Sequence, residues 1–134
     1  MIMDVRDLRI GDYLKVPQNN DNLIYEVIAL YEGSYVDLRC IEDSNIYVPS
    51  IETEYVAGVP ITDAWLKSIN AEFDKNKMYY ILSLSAGDKI LIRPQIGDNN
   101  YMLSVLGRYK SPFMKVTYIH EFQHWVWDLC QHTV

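Results

Sequence analysis

From Ile10 to Val59 the apolar residues fall at alternate positions in short runs, each run broken by turn-forming residues. A chain written this way folds into strands rather than helices, because side chains of a strand point to opposite faces at every step. Leu14 and Val16 alternate after Gly11-Asp12. Tyr25 to Leu30 is a β-branched and aromatic run ended by Gly33-Ser34, Tyr35 to Ile41 alternates again, and Asp43-Ser44-Asn45 turns the chain into Ile46 to Val48. Three or four short strands after a Gly-Asp turn predict a small half-open barrel of the SH3-like kind over residues 1–59. Its longest exposed loop is Pro17 to Asn22, which carries no aromatic residue and reads as a solvated connection.

The pattern changes at Pro60. Thr62-Asp63 offers a helix cap, and Trp65, Leu66, Ile69 and Phe73 give one apolar face to a helix running to about Phe73. Alternation then returns at Met78, Tyr80, Leu82 and Leu84. Gly87-Asp88 turns the chain into Ile90 and Ile92, and Gly97-Asp98-Asn99-Asn100 turns it into Tyr101 to Leu106, with Pro94 marking an edge or a strand end. After the breaks at Gly107 and Pro112, Val116-Thr117 leads into a last helix from about Tyr118 to Gln131. The expected fold is therefore α+β: an SH3-like strand-rich half, then over residues 60–134 a helix, an antiparallel meander and a carboxy-terminal helix packed on the sheet.

With 49% apolar residues in 134, the chain can bury a core without a metal or a disulfide. Cys40 and Cys130 stand among apolar neighbours and read as buried reduced thiols. Asp4, Arg6, Asp7 and Arg9 leave no room for the apolar core of a signal peptide, and no apolar run reaches membrane-spanning length, so a cytoplasmic protein that avoids membranes is expected. Charge is uneven, with four basic against twelve acidic side chains in residues 1–63 and eight against six in residues 64–134. An acidic first half repels phosphate, which argues against nucleic-acid binding there. The mild basic excess at Lys89, Arg93, Arg108, Lys110 and Lys115 is diluted by Asp88 and Asp98 and reads as a solvated face, leaving a nucleic-acid accessory factor as a weaker alternative.

One motif points to chemistry. His120-Glu121-Phe122-Gln123-His124 has the spacing in which two histidines on one helix face share a zinc ion and the glutamate serves as general base. A catalytic zinc also needs a third protein ligand. The positions where related proteases place a glycine and a third histidine hold Trp127 and Cys130, and too little chain follows His124 for a second ligand-bearing helix. Asp128 and His132 stand where a rigid helix cannot deliver them, and Glu72 or Asp74 would need a rearranged architecture. At about 100° per residue, Ile119, Phe122, Val126 and Leu129 define the core face and the histidine pair points to solvent. The zinc hydrolase with His120 and His124 as ligands and Glu121 as base is thus the lesser reading. His120, His124, Trp127 and Gln131 instead form a stripe opposite the core face, which reads either as a candidate surface for a protein partner or for self-association, or as the second buried side of a helix sandwiched inside the fold.

Three segments resemble a family of short uncharacterised proteins common in gut Bacteroidales and their mobile elements and phages. Leu8-Arg9-Ile10-Gly11-Asp12-Tyr13 is similar to that family's opening Leu-Arg-Ile-Gly-Asn/Asp element. Pro60-Ile61-Thr62-Asp63-Ala64-Trp65-Leu66 resembles its Pro-Ile-x-Leu-Thr-Glu-Glu-Trp-Leu element, shortened by about one residue. Tyr118-Ile119-His120-Glu121-Phe122-Gln123-His124-Trp125 is similar to its closing Tyr-Val-His-x-Leu-Gln-Asn-Leu element. In that pattern Asn usually holds the place of His124 and Gln often that of Glu121, so the zinc-like signature is peculiar to this chain and weighs less, and the resemblance implies a small, cytoplasmic, host-associated accessory protein. Sequence alone thus favours a non-enzymatic protein-binding module with no cofactor.

Overall fold

The computed structural model describes residues 3–85, 87–95, 97, 99–106 and 114–134. The fold is α+β and rich in strands, with two antiparallel five-stranded sheets and a carboxy-terminal helix. The chain divides into two compact units, Met1–Val59 and Pro60–Val134. The Gly107 and Pro112 breaks, Asp98, and the basic residues Arg108 and Lys110 lie outside the described residues.

The first unit holds β1 (Tyr13–Lys15), β2 (Tyr25–Tyr31), β3 (Tyr35–Cys40), β4 (Tyr47–Glu52) and β5 (Ala57–Gly58), in the order β4-β3-β2-β1-β5. A one-turn 3-10 helix, Thr53–Tyr55, carries the chain from β4 to β5, which returns to pair with β1. Alternation builds the core: Leu14, Val16, Tyr25, Val27, Val36, Leu38, Cys40, Ile51 and Val56 point inward together with Leu8. The polar stretch after β1 begins as a 3-10 turn, Pro17–Asn19, ended by Asn20 in the left-handed region. Two irregularities bracket Asp37. β2 gains one residue between Val27 and Ala29, and β4 sets Pro49 and Ser50 against Asp37 alone, with Ser50 at φ +50°. An extra residue on each neighbour bends the sheet at this point.

In the second unit, α1 (Asp63–Ser68) precedes the meander β6 (Glu72–Asp74), β7 (Tyr79–Ser83), β8 (Lys89–Pro94), β9 (Tyr101–Leu106) and β10 (Met114–Val116), and α2 (Ile119–Cys130) follows. Pairing runs strand to strand in chain order. Pro94 is the last residue of β8, where its missing N–H costs least. α1 begins as its sequence implies, with the Thr62 hydroxyl accepting from Trp65 N–H at 3.1 Å. It does not run to Phe73. Asn70 adopts φ +69°, its N–H meets the Lys67 carbonyl at 3.0 Å, and Ala71 N–H meets the Leu66 carbonyl at 3.0 Å. That pair of bonds satisfies the last carbonyls and stops the helix. Phe73 therefore lies in β6, its ring 4.9 Å from that of Tyr80, and the four-residue spacing from Trp65 to Phe73 crosses a helix end.

Candidate functional site

The His-Glu-x-x-His segment forms the first turns of α2, and its residues divide by role. Glu121 Oε1 accepts from Thr117 N–H at 2.9 Å and from Tyr118 N–H at 3.0 Å. A carboxylate so placed satisfies orphan backbone donors at the helix start and complements the helix dipole. The proposed general base is thus a helix cap. His120 is buried, against the expectation that both histidines face solvent. Tyr118 stacks on the His120 ring at 5.9 Å and 16°. His124 is half-buried and meets His120 edge-on, with 5.9 Å between ring centres. Among the described residues, no group of three or more His, Cys, Asp or Glu side chains is disposed to hold a metal ion.

The expected stripe is correspondingly broken. Trp127 is 46% exposed and Gln131 is exposed, but His120 is not. Gln131 also closes α2: its backbone is left-handed at φ +53°, and both its N–H and its side-chain amide donate to the Trp127 carbonyl, at 2.9 and 3.1 Å. Of the expected core face, Ile119, Phe122 and Val126 are fully buried while Leu129 is half-buried. Phe122 meets Trp65 edge-on at 5.3 Å, the geometry in which a positive ring edge faces a negative ring face. Cys40 is buried and Cys130 half-buried, both as free thiols.

Of the basic positions singled out in the second unit, the three that are described, Lys89, Arg93 and Lys115, lie on its sheet. Arg93 and Lys115 both sit opposite Met102, from strands on either side of it, and Lys89 lies at the other end of β8. The Arg93 guanidinium lies over the Tyr79 ring at 5.9 Å and Lys77 approaches the same ring at 6.0 Å. No described helix is long and apolar enough to cross a membrane.

The first unit holds a concave site that the motif reading passed over. An open groove of about 810 Å³ is lined by the segment from Met3 to Arg6, the β2–β3 turn from Glu32 to Tyr35, and the β4–β5 connection from Glu52 to Glu54. Gly33 at φ +80° and Ser34 at φ +69° fold the turn back, and the Thr53 N–H to Ser34 carbonyl bond at 2.9 Å ties it to the 3-10 helix. Arg6 is committed to Asp4, with Nη2 to Oδ2 at 2.8 Å. The remaining charged side chains are Glu32, Glu52 and Glu54. The neighbouring Glu52 carboxyl pushes the Glu54 carboxyl above the usual carboxylate range.

Beside the groove, on the outer face of β2–β3–β4, Asp37 is buried and organises its neighbours. Its Oδ2 accepts from the Tyr31 hydroxyl at 2.7 Å and the Tyr47 hydroxyl at 2.8 Å, while Oδ1 accepts from Ser50 N–H at 2.8 Å. These donors, the Ser50 N–H foremost, hold its carboxyl below its ordinary range, and Asp37 in turn raises both tyrosines. Tyr31, Tyr35 and Tyr47 are each more than a third exposed, and Tyr35 pairs with Tyr31 on one side and Glu52 on the other. The signals present in the sequence were the acidic first half and the alternation Tyr35, Asp37, Arg39. What converged on them in space was not readable.

Comparison of the chain with protein-family models, curated proteins and solved structures finds no match.

Proposed function

We propose that the chain is a non-enzymatic, cytoplasmic accessory protein whose amino-terminal unit binds a segment of a protein partner in the groove between Arg6, Tyr35 and Glu54. The observation that carries this reading is the groove itself: about 810 Å³ of open concave surface with charged and aromatic walls, built by three separate chain segments. Such mixed lining is what fixes a ligand's orientation in binding sites generally. The strand order, in which the last strand returns through a 3-10 turn to pair with the first, supports the SH3-like reading of this unit. The commitment of Glu121 to the helix start favours binding over zinc hydrolysis. The resemblance to short Bacteroidales proteins agrees with an accessory role.

A library of random twelve-residue peptides selected against the full-length protein tests this. Enriched peptides should perturb the amide resonances of Glu32 to Tyr35 and Glu52 to Glu54 on titration. Failure to enrich any sequence, or perturbations confined to the second unit, would overturn it.

A further inference from the structure

The groove's chemistry narrows what occupies it. Residues 1–59 carry four basic against eleven acidic side chains, so the unit as a whole draws cations. Within the groove the one guanidinium, Arg6, is already bound to Asp4, leaving the wall formed by Glu32, Glu52 and Glu54 strongly negative. Tyr35, 38% exposed as a residue, stands at the same wall with its hydroxyl 3.5 Å from Glu52 Oε1.

Tyr35 also continues into the outer face of the sheet. It lies directly opposite Tyr31 in register, and Tyr31 is held by Asp37, which holds Tyr47 as well. That face already seats a guanidinium on an aromatic ring: Arg39 lies over Tyr47 at 5.8 Å. Guanidinium is planar and weakly hydrated, stacks on tyrosine, and presents a fork of N–H donors that matches a pair of carboxylate oxygens. An ammonium group, compact and strongly hydrated, uses the carboxylates but not the ring to the same degree.

Resting on the reading of the groove as a partner-binding site, we propose that its occupant is an arginine-bearing peptide segment, the guanidinium lying on the Tyr35 ring with its N–H donors shared between Glu52 and Glu54. Glu32 supplies the negative wall for a neighbouring basic residue. Asp37 is a positioning residue: it touches no ligand and keeps the Tyr31 and Tyr47 rings fixed beside the site.

The test titrates the full-length protein with three capped synthetic peptides of one Gly/Ser-spaced sequence, bearing two arginines, two lysines, or two citrullines, the last a neutral shape-match for arginine. The arginine peptide should bind with shifts at Tyr35, Glu52 and Glu54, the lysine peptide several-fold more weakly, and the citrulline peptide at least tenfold more weakly. Glu52→Gln and Tyr35→Leu, with folding verified by their spectra, should each weaken the arginine peptide by several-fold. Equal binding of arginine and citrulline peptides overturns the proposal. If selected library peptides occupy the groove while the arginine peptide does not, the arginine assignment fails and the groove's function stands; if no peptide of either set occupies it, both fail.

Discussion

The Tyr47 hydroxyl donates to the buried carboxylate of Asp37 at 2.8 Å across adjacent strands, in the stretch where β4 sets Pro49 and Ser50 against Asp37 alone. A charged acceptor with three donors is stable in a sheet only if every donor arrives together, and here the left-handed turn of the chain at Ser50 delivers the backbone one. The bulge and the carboxylate thus depend on each other.

Replacing Asp37 tests that dependence. The lowered carboxyl pKa means that ionised Asp37 stabilises the fold at pH values above the ordinary carboxylate range, and this contribution is lost as pH falls through the depressed folded-state value. Asp37→Asn should cost about 1–2 kcal/mol at neutral pH and flatten the acid limb of stability below about pH 4. Tyr31 and Tyr47 move the other way. Their raised values stabilise the folded state below the ordinary tyrosine range, and that contribution disappears as pH rises through the folded-state values. Ultraviolet titration of the variant should show these two tyrosines ionising at lower pH than in the parent, and an unchanged titration would contradict the network.

Glu121 should behave as a cap. Glu121→Ala leaves two backbone N–H groups at the start of α2 without their carboxylate and should cost about 1 kcal/mol, while Glu121→Gln, which keeps an acceptor oxygen, should recover about half. Urea denaturation measures both. Equal stability of all three proteins would remove the capping role.

At Asn70 the test is conformational. Asn70→Gly should leave stability unchanged or raise it slightly, because glycine enters the left-handed region without a Cβ penalty, and Asn70→Ala should lower it by about 1 kcal/mol. Thermal denaturation followed by circular dichroism gives the order, and an alanine variant as stable as the glycine one would contradict the helix stop at this residue.

Much of the fold was legible because its causes are local. Alternation at Tyr25 to Leu30, Tyr35 to Ile41 and Tyr80 to Leu84 reports a strand whichever partner it finds, and Thr62 announces a helix start through a bond three residues away. The short strands β5, β6 and β10 were illegible: two or three residues carry no period, and they become strands only by pairing with longer ones. The end of α1 was written in Asn70, but the apolar spacing to Phe73 outweighed it.

The sites divide the same way. Residue spacing determined that His120 and His124 would neighbour each other on one helix, since i and i+4 always do. Whether each met solvent or protein, and whether Glu121 faced a metal or its own helix start, was decided by tertiary structure, which buries His120, half-buries His124 and turns Glu121 to the helix start. The acidic bias of the first half was plain from composition. That Glu32, Glu52 and Glu54 would share a groove with Tyr35 was decided by sheet register and by the Thr53 to Ser34 bond, which join residues about twenty positions apart in the chain. Local bonding energies act over three or four residues and can be read in order, whereas a surface is made of neighbours that only folding selects.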